Sequence, residues 1–220
     1  MMKQHSGFSL ISTMIGILLG TISILAMMML YRNVVQQSMT SMVYSREDSE
    51  MQSAFFSIQK QLQKAGYGVE AASVPDGTAN RDVVVLANAS MDGAQLRGTL
   101  RTIGTTPVNG NAMVYNWMEG STSMCSGILA GSDGVQILLP QTCSNASAYA
   151  SLNWTPYFLA GPKFNATATT INFSVNTVTN CYLYGKVAAG NSLRVGVSSP
   201  RSISALGEET AALCLPNIIQ

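Results

Sequence analysis

Charge is what this chain has least of. Lysine and arginine number 12 and aspartate and glutamate 11, a tenth of the 220 residues and a net +1. A nucleic-acid binder carries a basic stripe, and a binder of acidic molecules shows a comparable imbalance, so global charge nominates no partner. Arg97 and Arg101 share one face of a candidate strand, and two arginines are too few for a phosphate-binding surface. Catalytic signatures are missing as well. There is no phosphate-binding loop of the GxxxxGK[ST] type, no GxSxG, and no GxGxxG opening a helix after a strand. Glu208-Glu209 lies in a polar stretch and reads as solvated surface. No residue is nominated for catalysis, for a cofactor or for a metal, and an enzyme is not expected.

Paired cysteine spacings are also lacking. Cys125, Cys143, Cys181 and Cys214 form neither a CxxC pair nor a Cys/His zinc spacing. Four dispersed cysteines beyond an apolar segment read as two disulfides in an oxidising compartment. Three connectivities are possible. Nearest-neighbour pairing, Cys125 with Cys143 and Cys181 with Cys214, is the expectation. Four Asn-x-Ser/Thr matches, at Asn88, Asn145, Asn153 and Asn165, are what chance gives in a chain rich in these residues.

What the chain does have is a long uncharged run. From Phe8 to Leu30, 23 residues pass without a charge, enough to cross about 30 Å of hydrocarbon at 1.5 Å per residue. A secretory signal has a shorter apolar core and a small-residue cleavage site after it, and this stretch has neither feature. With Lys3 on the short flank, a signal anchor of this kind leaves its N-terminus in the cytoplasm and sends the rest outward. Ser12, Gly16 and Gly20 fall four apart on one helix face, a small-xxx-small spacing that permits close packing in lipid.

Proline is absent before Pro75, and helical periodicity continues past the apolar run. Val35, Met39 and Met42, then Met51, Phe55, Ile58, Leu62 and Ala65, recur at threes and fours. Ser45–Glu50 reads as a solvated stretch. One helix is predicted from Phe8 to Lys64, roughly 85 Å long, ended by Gly66-Tyr67-Gly68. From Val69 onward short β-type runs alternate with turn residues. Strands are predicted at 82–88, 95–103, 112–117, 134–139, 168–175, 181–188 and 193–198, with turns at Asp92-Gly93, Asn109-Gly110 and Asp133-Gly134. Segment 140–167 reads as a long loop. The expected class is α+β: a long N-terminal helix, its first half transmembrane, packed on a mostly antiparallel sheet.

The heptapeptide Ser6-Gly7-Phe8-Ser9-Leu10-Ile11-Ser12, set behind the basic Met1–Gly7, resembles the cleavage and methylation motif of type IV prepilins, G-F-[ST]-L-[IV]-E. Residues 58–68, IQKQLQKAGYG, resemble a segment of PilW-type minor pilins. The resemblance covers about the first third of the chain. It implies cleavage between Gly7 and Phe8 by a prepilin peptidase, N-methylation of Phe8, and loss of His5, the only histidine. The product could then run no histidine-dependent mechanism. It implies a division into leader 1–7, transmembrane half-helix 8–30, amphipathic half-helix 31–66 and β-rich head 67–220. Family members usually carry glutamate at the fifth mature position, where this chain has Ser12, and that departure points to a minor subunit at or near a filament tip. Implied partners are other minor and major pilins and the inner-membrane assembly platform. The implied location is the inner membrane, with a periplasmic head, and then the pilus surface. A minor pseudopilin of type II secretion and an uncleaved signal-anchored binding or enzymatic domain remain as alternatives.

Overall fold

The computed structural model describes residues 10–70, 72, 82–131, 134–160, 172–179, 182–183, 186–187, 192–200 and 208–219. Helix α1 runs Leu10–Leu62, 53 residues, with no proline to interrupt it. The chain divides into two compact units between Arg46 and Glu47. In the first unit, the large apolar side chains from Leu10 to Val43 are all exposed. In the second, Met51, Ala54, Phe55, Ile58 and Leu62 are buried, at the three- and four-residue spacing that lines one helix face.

The helix end is fixed by glycine and by a distant asparagine. Gly66 and Gly68 adopt φ of 73° and 69°, the left-handed region that glycine enters without cost. The Asn217 amide donates to the carbonyls of Gln63 and Ala65 at 3.0 and 3.3 Å, groups that a helix end leaves without intrahelical partners. The Gly66 N–H donates to the Asn116 carbonyl at 2.8 Å.

Two main antiparallel sheets build the head. The first comprises β1 (Val83–Asp92), β2 (Gln95–Arg101), β4 (Ala112–Glu119), β5 (Thr122–Gly131), β6 (Gly134–Thr142) and β7 (Pro156–Ala160), in the order β2-β1-β4-β5-β6-β7. The second comprises β3 (Val108–Gly110), β8 (Asn172–Val178), β11 (Ser192–Pro200) and β12 (Glu208–Ile219), in the order β12-β11-β8-β3. Strands β9 (Tyr182–Leu183) and β10 (Lys186–Val187) pair with each other. The α+β class is therefore present, with one long apolar helix and antiparallel sheets.

Alternation along the strands produces two apolar cores. The first joins the buried face of α1 to both sheets, through residues such as Ile58, Val85, Tyr115, Trp117, Phe173 and Val195. The second lies on the opposite face of the six-stranded sheet. It gathers Val84, Leu86, Leu96, Val114, Leu138 and Trp154, because neighbouring strand residues point to opposite faces.

Several expectations change. The run 140–167 is not a plain loop, since it holds a 3-10 turn at Ala146–Ala150 and strand β7. Strands β5 and β12 replace segments with no strand expectation, and Glu208-Glu209 opens β12. Asn109-Gly110 lies in β3 rather than in a turn. The expected strand at 181–188 is two short ones, and residue 181 lies outside the described residues.

Candidate functional site

The largest chemical feature on the described surface is the first part of α1. Leu10–Tyr31 contains no charge, and α1 is the one described helix long and apolar enough to cross a membrane. None of its most apolar stretch is buried within the chain. In hydrocarbon every backbone group must be satisfied internally, and a helix does this by its own ladder. Three side-chain hydroxyls inside the stretch are satisfied in the same way. Thr13 donates to the Leu10 carbonyl at 2.8 Å, Thr21 to Leu18 and Ser23 to Leu19, both at 2.9 Å.

Ser12, Gly16 and Gly20 are exposed on this helix. A Cβ built on Gly16 or Gly20 meets nothing within 4 Å, so the small-residue face is open to whatever surrounds it. Gly7 and Phe8, the expected cleavage and methylation positions, lie outside the described residues.

In the head, the structure joins Cys125 to Cys143 by a disulfide. Cys214 is disulfide-bonded as well, and Cys181, its expected partner, lies outside the described residues. Cys125 is wholly buried in the second core, whereas Cys143 packs at its margin and is partly exposed. Arg97 and Arg101 are both exposed on β2. Arg97 donates to the Gln95 side chain at 2.6 Å and approaches Asp92 at 3.8 Å. Among the described residues no three His, Cys, Asp or Glu side chains group as a metal site. Asn145 uses its side chain to accept from the Ser147 N–H at 2.9 Å, an N-cap of the 3-10 turn.

Among the described residues, one titratable group is strongly perturbed. Burial pushes the Tyr115 phenol far above its usual range, with Ser126 opposing weakly. Ser126 lies opposite Tyr115 in register, but its hydroxyl donates to the Leu138 carbonyl at 2.7 Å. No geometrically sound hydrogen bond reaches the Tyr115 hydroxyl. The phenol is therefore neutral and structural rather than a proton donor or nucleophile. A raised folded-state pKa contributes stability below the unfolded value of about 10, and that contribution is lost as pH rises past it. Tyr115→Phe is expected to flatten the loss of stability above about pH 10 and to cost nothing at pH 7, because it removes an unpaired buried hydroxyl. Thermal melts across pH 7 to 11 check this; an unchanged alkaline slope would contradict it.

Two residues that tie the strands of the head carry little sequence signal. Asn111 accepts from the Ala89 N–H at 2.7 Å and donates to the Ala89 and Ala130 carbonyls at 2.8 and 2.9 Å. Its only sequence signal is adjacency to Gly110, in a dipeptide region that reads as a turn. Trp154 lies in a Ser/Asn/Ala-rich segment whose composition reads as a loop.

No protein-family model, curated protein or solved structure matches this chain.

Proposed function

We propose that this chain is a minor type IV pilin, a structural subunit that helps initiate or cap a pilus. The observation that carries the reading is the helix itself. Its first part is uncharged and uncovered for 22 residues, from Leu10 to Tyr31. It then continues without a break to Leu62, where its last turns are buried in a disulfide-bonded β-rich head. A soluble protein buries such a surface within itself, and here it is left for lipid or for other subunits. The resemblance of residues 6–12 to the prepilin motif adds the cleavage site, at Gly7–Phe8.

On this reading the chain sits in the inner membrane with its head in the periplasm until a prepilin peptidase removes Met1–Gly7. It then joins other minor and major pilins through the inner-membrane assembly platform. Its work is assembly rather than catalysis, in support of adhesion, twitching motility or DNA uptake. Ser12 in place of the usual glutamate supports a position at or near the filament tip. An ammonium buried in the apolar filament core needs an opposite charge, which serine does not supply.

Mass spectrometry of the protein recovered from membranes is expected to find N-methylated Phe8 as the first residue. Retention of Met1 to Gly7 would overturn the reading. Deletion is expected to reduce piliation and leave protein secretion intact. Loss of secretion instead would assign the chain to a type II secretion system. Ser12→Glu is expected to spread the subunit along the filament.

A further inference from the structure

We infer that residues 143–155 form a lid over the second core, latched by the Cys125–Cys143 disulfide and released when that bond is reduced. This inference does not depend on the filament reading.

The segment leaves β6 and returns at β7, and these strands are paired, with Leu138 opposite Pro156 and the Leu139 N–H donating to the Thr155 carbonyl at 2.9 Å. Its ends are thus held together at the sheet. Compact loops with adjacent ends fold on their own side chains, and this one does. Ser147 and Ala148 both donate to Asn145, Ser151 donates to Ala148, and the Trp154 indole donates to the Tyr149 carbonyl at 2.8 Å. Hydrogen bonds to the rest of the sheet are fewer, while Tyr149 and Leu152 pack against the second core. Cys143 N–H donates to Ser123 at 3.1 Å and Trp154 N–H to Ala94 at 2.7 Å, while the Trp154 and Ala146 side chains are buried in the second core.

A second feature works against closure. Asn116 and Gln141 flank Cys125 in register on neighbouring strands, and so share the face that the lid covers. Asn116 Oδ1, Gln141 Nε2 and the lid's own Ser147 Oγ are enclosed without a hydrogen-bond partner. Opening admits water to all three, so the closed state carries a penalty that the disulfide helps to overcome.

Of the two bonded cysteines, only Cys143 is partly exposed. Cys125 is buried, and the Ser123 hydroxyl lies 3.7 Å from Cys143 Sγ. A dithiol reductant attacks as thiolate at Cys143 Sγ. The S–S bond breaks, and Cys125 leaves and takes up a proton. The second thiol then displaces Cys143 from the mixed disulfide. Two electrons and two protons pass to the cysteines, and the dithiol becomes a disulfide.

Each core holds one tryptophan, Trp117 in the first and Trp154 in the second, so the two can be read apart. The test uses the full chain in detergent micelles with Cys125→Ser and Cys143→Ser combined, which leaves the Cys214 disulfide untouched. In a Trp117→Phe background, acrylamide quenching of Trp154 is expected to rise several-fold, with new chymotryptic cleavage inside 143–155. In a Trp154→Phe background, Trp117 is expected to stay shielded. Adding Asn116→Leu to the disulfide-free chain is expected to restore part of the Trp154 shielding. Should the serine pair not fold, Cys125→Val with Cys143→Ser fills the buried site and serves instead. Trp154 remaining shielded without the disulfide would overturn the lid. Exposure of both tryptophans together would overturn it too, showing a general staple of the head.

Discussion

Gly110→Ala is expected to lower the stability of the head by about 3 kcal/mol or more, from overpacking against immovable backbone. A Cβ at this position would lie 2.5 Å from the Leu86 carbonyl oxygen and 2.6 Å from Val85 Cγ1. The Leu86 carbonyl has no freedom to retreat, because it accepts the Asn111 N–H at 2.9 Å. Here the chain passes from β3 in the four-stranded sheet to β4 in the six-stranded sheet within two residues. The glycine is required by close approach of two backbones rather than by a turn. The melting temperature should fall by roughly 6–12 °C. Gly104→Ala, where a Cβ meets nothing within 4 Å, is the control and should leave it unchanged. Equal melting of the two variants would refute the steric account.

Asn111→Leu is expected to be nearly as damaging, at about 3 kcal/mol, because it keeps the shape and removes every side-chain hydrogen bond. The Ala89 N–H and the Ala89 and Ala130 carbonyls would lose their partners together. The two Ala89 groups sit at the β1 irregularity between Ala87 and Ser90, where Asn88 is held at φ 52°, and the Ala130 carbonyl lies on β5. The bulge thus depends on Asn111 to satisfy the backbone that its own ladder leaves out. Asn111→Asp separates shape from donor capacity. The carboxylate still accepts from Ala89 but faces two carbonyls with no proton to give. Its deficit should shrink as pH falls and the carboxyl regains a proton. Chemical denaturation at pH 7 and pH 4 reads both effects, and an Asp variant as stable as the parent at pH 7 would remove the donor argument.

The long helix was legible because its signals are local: an uncharged run, apolar residues at threes and fours, no proline, and glycines where it stops. Much of the head was not, for reasons that differ by element. Strand β5, TSMCSGILAG, mixes small and polar residues with a glycine, and its strand character comes from burial between β4 and β6. Strand β12 opens on two glutamates and contains Pro216, which local propensity reads against a strand. Asn109-Gly110 carries a strong hairpin signal, yet the glycine answers a crowding that only the folded sheets create. Pairing of β3 with β8 joins Val108 to Val175, and no local pattern announces such a partner. The apolar segment of the candidate site was readable from composition alone, whereas the lid over Trp154 required knowing which face of the sheet its side chain covers.

The contact between Asn217 and the end of α1 has a consequence for biogenesis. The two bonded residues, Gln63 and Asn217, are 154 positions apart. While the chain is still emerging, the last turn of the helix has its carbonyls bare and its apolar face uncovered, with β12 not yet delivered. Partial chains are therefore targets for proteases and holdases, and protection arrives late and all at once. The end of α1 is completed only after the whole of β12 has been synthesised and has paired.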